Sequence, residues 1–187
     1  MTKCTYCNGK HSSKECPDEL KVAPFMRKII GNHIEKFVED RLMCPRCNNN
    51  SLVLLGNYAP SLDIICNQCD GKFEVKSKCL SANYIPKDLI LNHGNYFEYI
   101  NRQSKGLDFI IIIYGVDRNT KTIHIRKVLY APNKIILEKK YINIVKKENS
   151  TLSDIFISDN TKLKEIELKY NFSYNFTETI KYILLNI

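Results

Sequence analysis

Two Cys-x-x-Cys turns, Cys44-Pro-Arg-Cys47 and Cys66-Asn-Gln-Cys69, constrain this chain more than any other feature of its sequence. Such a turn presents two thiolates to one ion with little strain, and zinc prefers four Cys or His ligands in a tetrahedron. Two turns at this separation match a zinc ribbon, in which the tips of neighbouring hairpins clasp one metal. The predicted ribbon covers residues 44–69. Its zinc is structural, because four cysteines close the coordination sphere and leave no position for water. The bland alternative, four free cysteines in a core, fits the pairing and spacing poorly.

A second cluster, Cys4, Cys7, His11 and Cys16, lies in residues 1–17 and predicts a second structural zinc. It resembles a CCHC zinc knuckle of nucleocapsid type, with a middle spacing one residue shorter than usual. Within it, Tyr6 and Lys10 offer an aromatic face and a charge suited to single-stranded nucleic acid. A purely structural or protein-binding mini-site is an equal alternative. Only Cys79 among the eight cysteines is left without a group. Cysteines used this way belong in a reducing compartment, and the N-terminus lacks the apolar core of a secretory signal, so cytoplasm or nucleus is expected. A net charge of +8 favours a polyanionic partner. The most apolar run, "FIIIIYGV" at 109–116, is far too short to span a bilayer and reads as a buried strand.

Apolar residues Met26, Ile29, Ile30, Ile34, Phe37 and Val38 recur at helical spacing, predicting an amphipathic helix over 25–41. Strands are expected at 51–58, 62–65 and 72–78, forming an antiparallel meander with the cysteine turns at its ends. A second helix is predicted over 87–103, from Leu89, His93, Tyr96 or Phe97, and Ile100 on one face, in spite of Gly94. Strands at 109–116 and 121–132 follow, then a strand at 166–172 and a closing helix over 177–187 with Thr177 as its cap. The class is α+β, in two units: 1–17, and 18–187.

Within the meander, Asp63 ends one strand and Glu74-Val75-Lys76 lies in the next. Alternation puts Glu74 and Lys76 on one face, and pairing of the strands would bring Asp63 to Glu74. Two carboxylates that close repel unless a cation sits between them, and oxygen ligands suit magnesium. A lysine beside the ion can position water and stabilise charge on a phosphate, which are the parts of metal-assisted phosphodiester hydrolysis. Taken alone, Asp followed by Glu-x-Lys is more often a solvated strand face with an ion pair.

"APSLDIIC" with "EVK" resembles the PD-(D/E)xK nuclease motif. The longer run from Ile34 to Ile136, including "CPRC", "LDIICNQCDGKFEVKSK", "LNHGNYFEYINR" and "DFIIIIYGV", is similar to the catalytic domain of DpnI-type restriction endonucleases. That resemblance implies a restriction-endonuclease-like core, a central mixed sheet flanked by helices, with the zinc ribbon inserted. It implies a magnesium- or manganese-dependent endonuclease acting on DNA. Asp63, Glu74 and Lys76 fall on the catalytic positions, with Asp63, Glu74 and the Val75 carbonyl on magnesium and Glu35 as an additional acid. Lys78, further along the same strand, is a candidate contact to nucleic acid. The family's C-terminal winged helix has no counterpart of sufficient length in 151–187. The rival reading is a non-enzymatic zinc-ribbon and zinc-knuckle nucleic-acid-binding protein, in which the acidic pair is incidental; another is a degenerate nuclease fold kept for protein interaction.

Overall fold

The computed structural model describes residues 24–56, 62–79, 89–95, 101, 104–117, 122–138, 142–146, 152–157, 163–166 and 173–175. Helix α1 (Pro24–Arg41) opens on a proline, whose missing N–H is no loss in a first turn. Ile30, Ile34, Phe37 and Val38 form its buried stripe. On the outer side Lys36 bridges Glu39 and Asp40.

The main sheet begins with the expected meander: β1 (Leu52–Leu54), β2 (Ile64–Cys66) and β3 (Lys72–Cys79), each antiparallel to the last. β3 then pairs in parallel with β5 (Asp108–Asp117), and β5 runs antiparallel to β6 (Thr122–Ala131). β9 (Lys164–Glu165) and β10 (Ser173–Asn175) both join β6. A separate three-stranded sheet is made by β4 (Leu89–Asn95), β8 (Leu152–Ile157) and β7 (Ile142–Lys146). A short helix, α2 (Asn133–Leu137), follows β6.

β5 explains the layering. Its alternate side chains feed two cores, as a strand covered on both faces must. Ile110, Ile112 and Tyr114 pack with Phe73, Val75 and the stripe of α1. Phe109, Ile111 and Ile113 pack with Leu129, Leu163, and Leu89 and Ile157 of the small sheet. Each of these aliphatic or aromatic side chains contributes about 1.5–3 kcal/mol by leaving water.

The second helix predicted over 87–103 requires correction. Residues 89–95 are strand β4, with Leu89 aligned to Ile157 and Asn95 to Leu152. Pairing with β8 along one edge outweighs a weak helical period interrupted by Gly94. Among the described residues that follow β4, Asn101 and Ser104 have helical geometry. The strand expected at 51–58 is described only as Leu52–Leu54, and the strand near 62–65 starts one residue after Asp63. In the tail, Lys164–Glu165 and Ser173–Asn175 pair with β6 on either side of the expected strand at 166–172, of which residues 167–172 lie outside the described residues. The knuckle, with Tyr6 and Lys10, and the closing helix at 177–187 lie outside the described residues. Among the described residues, no helix is long and apolar enough to cross a membrane.

Candidate active site and metal centre

The two Cys-x-x-Cys turns fold alike. Asn48 and Asp70, each following the second cysteine, adopt left-handed backbone (φ 59° and 53°), a region that Asn and Asp tolerate better than other residues with a side chain. Cys44 N–H donates to the Asn49 carbonyl at 2.9 Å, and Cys66 N–H donates to the Gly71 carbonyl at 2.8 Å. All four sulfurs lie within 4.8 Å of one another. Cys44 and Cys69 are 3.7 Å apart, and Cys47 and Cys66 are 3.6 Å apart. A tetrahedron with Zn–S bonds of 2.3 Å has edges of roughly 3.8 Å, so the cluster is already the size of a single zinc site. Burial pushes the Cys44 thiol up to about 12. Burial would raise Cys66 as well, but hydrogen bonds from Ser51 Oγ and from the N–H groups of Gln68 and Cys69 outweigh it and draw that thiol down to about 6.

The strands β2 and β3 beside the cysteine cluster carry the acidic residues. β2 pairs with β3 only as far as Ile64↔Phe73, and the two strands separate beyond that point. Asp63 stands at the fork. Its main-chain N–H still donates to the Phe73 carbonyl (3.1 Å), while its carboxylate accepts the N–H of Val75 (2.7 Å), taking the place of the next ladder bond. The N–H and C=O of one strand residue point to the same edge, so the Val75 carbonyl is directed toward Asp63 as well. Beside it Glu74 is 4% exposed, which rules out a solvated strand face, and its Oε1 accepts from Lys76 Nζ at 2.5 Å. Below this pair, the β5 residues in register are Phe109 and Ile111. They form an apolar floor.

Glu35 approaches from α1. One turn along the helix, Glu39 accepts the N–H of Leu54, which fixes the helix against β1. The Glu35 carboxyl is raised above its ordinary value, first by burial and then by the charge of Asp63, against an opposing pull from Lys76. The fold therefore brings Glu35, Asp63, Glu74 and Lys76 into one electrostatic neighbourhood. The carboxylates remain looser than the thiols: among the described residues, the four cysteines alone close to within 4.8 Å as a set of three or more potential metal ligands.

Lys78 shares the face of Glu74 and Lys76, opposite Ile113 of β5. Burial, and then the charge of Lys76, draw its ammonium down to about 8 from 10.5. Between these pH values the unfolded chain holds a proton that the folded one has released, so stability should rise as pH goes from 8 to 10.5. Lys78→Met is expected to remove that slope and to stabilise the fold at pH 7 by on the order of 3 kcal/mol. Urea melts across this range check it; an unchanged slope in the variant would show that Lys78 is not its source.

Sequence reasoning missed a second node. Asp108, 1% exposed at the start of β5, accepts from Arg46 Nε and from the Tyr130 hydroxyl, both at 2.6 Å, and from the N–H of Asn133 at 2.8 Å. Arg46 also lies over the Phe73 ring, 5.8 Å from its centre. A middle residue of the first cysteine turn thus anchors that turn to the central strand. Its one sequence signal is an acid placed directly before the most apolar run of the chain.

The family model described as DpnI, the Dam-replacing family, matches residues 26–177. A comparison with curated proteins finds no match. The matched region holds the cysteine cluster, the fork of β2 and β3 and the whole of the central sheet, and the chain belongs to the Dam-replacing family, DpnI.

Proposed function

We propose that this protein is a magnesium-dependent endonuclease that hydrolyses phosphodiester bonds of DNA, with its cysteine cluster holding one structural zinc. The family points to a DNA restriction endonuclease, and the observation that carries the catalytic assignment is the fork at Asp63. There a carboxylate is pinned to Val75 N–H, beside a buried Glu74 already partnered by Lys76. In this reading Asp63, Glu74 and the Val75 carbonyl hold magnesium or manganese, with Glu35 adding negative charge behind them. The donor set fits a hard cation, since it is all oxygen and Asp63 already raises Glu35. Bound there, the ion would polarise the phosphate and acidify a water.

The chain's own groups do the rest. Val75 N–H orients Asp63, Lys76 Nζ positions the water and meets the charge that develops on phosphate, and the apolar β5 floor keeps other water away. Lys78 adds a cation for the nucleic-acid backbone. The knuckle at 1–17, with Tyr6 and Lys10 and a second zinc, contributes binding to nucleic acid. The ribbon holds the fork in shape through zinc on one side and Arg46–Asp108 on the other.

The test is incubation with adenine-methylated and unmethylated duplexes, with and without magnesium. Magnesium-dependent cleavage of either duplex is expected. Binding without cleavage under every metal condition would favour the nucleic-acid-binding rival instead.

A further inference from the structure

Where β3 and β5 begin and β6 ends, a cavity of about 520 Å³ opens to solvent. Its lining includes four cations, Arg46, Lys72, Lys105 and Lys134, and two carboxylates, Asp70 and Asp108. Asp108 is already engaged: one oxygen takes Arg46 and the Tyr130 hydroxyl, and the other takes a main-chain N–H. Three lysines therefore share Asp70 alone among the lining acids. All three are exposed, and among the described residues none is held in an ion pair. Concentrated positive charge around a concave wall attracts a polyanion and draws its phosphates inward.

The position of the cavity narrows the ligand. Asp108 and Tyr130 line it from the face of the sheet that carries Phe73 and Ile110, while Lys72 shares the other face with Glu74, about 7 Å along β3, so the cavity wraps the end of the sheet and reaches the Glu74 side at Lys72. Along a duplex axis each strand carries one phosphate per about 3.4 Å, so phosphates one or two steps from the bond that Glu74 addresses come within reach of that lysine. We infer that this cavity seats backbone phosphates of the nucleic-acid strand beside the bond that Asp63, Glu74 and Lys76 address. Which phosphates it seats rests on the nuclease reading; that it seats phosphates rests on its own charge and shape. Arg46 gives the cavity a rigid side, because Asp108 and the Phe73 ring fix its guanidinium. The lysines supply the adjustable side.

The experiment is fluorescence binding of the full-length protein to a labelled duplex without added divalent ions, over a range of salt. Wild type is compared with Lys72→Gln, Lys105→Gln, Lys134→Gln and the triple variant. Lys28→Gln, exposed on α1, reports the effect of removing one charge elsewhere. Every phosphate that is no longer neutralised should flatten the plot of log K against log salt by about 0.9. The triple variant is expected to bind at least about tenfold more weakly, with a slope shallower by about two to three, while Lys28→Gln stays near wild type. Single pocket variants indistinguishable from Lys28→Gln, together with a triple variant of unaltered slope, would overturn the proposal. The two readings fail separately. Weakened triple-variant binding by a protein that never cleaves retires the nuclease and leaves the cavity standing; cleavage with unaltered triple-variant binding does the reverse.

Discussion

Asp63→Asn is expected to lower magnesium-dependent cleavage on the order of 10³-fold while leaving duplex binding and melting close to wild type. The substitution keeps an acceptor for Val75 N–H, the 2.7 Å bond that holds the fork, and removes only the charge. A thousandfold loss corresponds to about 4 kcal/mol of barrier. Asp63→Ala should lose the same activity plus about 1–2 kcal/mol of stability, because a partly buried N–H is left without its acceptor. Duplex affinity measured without metal should hold or improve in both, since a negative charge that repels phosphate is gone. Lys76→Ala should abolish cleavage yet retain magnesium binding, as the lysine serves water and phosphate. Paired measurement of cleavage and affinity separates these outcomes. Wild-type cleavage by Asp63→Asn would remove Asp63 from the chemistry.

Removing metal from the cysteine cluster should have the larger effect on folding. Chelation, or Cys66→Ser, leaves thiols crowded within 4.8 Å with no ion to satisfy them, and structural zinc sites carry a large share of the folding energy of small ribbons. A loss of several kcal/mol should lower the melting temperature by about 10 °C or more. Activity should fall with it, because Asp63 lies three residues before Cys66 on the same short strand approach. Zinc analysis alongside calorimetry checks the pairing of the two losses. A variant with unchanged melting and one equivalent of zinc would show that Cys66 is not a ligand.

The elements legible in the sequence were those whose reasons are local. The stripe of α1, the cysteine turns and the meander follow from spacing over a few residues, and the resemblance to DpnI-type enzymes agrees with the family match. The fork was partly legible: alternation placed Glu74 beside Lys76, but nothing in the sequence announced that β2 would stop at Ile64 and leave Asp63 to hydrogen-bond Val75. Glu35 was named through resemblance, and the structure brings its charge to bear on Asp63. β4 was misread because its reason is distant: the groups that satisfy it lie on β8, at 152–157. Asp108 was passed over for the same cause, since its partner Arg46 is 62 positions away.

The parallel pairing of β3 with β5 also sets an order of assembly. Antiparallel β1, β2 and β3 can zip from short loops and a metal, but parallel neighbours need a long crossover, and closing it costs chain entropy before any favourable packing is gained. Glu74 and Lys76 have no floor until Phe109 and Ile111 arrive, and the ribbon has no anchor until Asp108 reaches Arg46. With the proposed zinc bound, the β1–β3 meander can therefore close early during synthesis while the carboxylate–lysine group is still open on one side. In the proposed reading, cutting competence then arrives late, as a property of the finished sheet.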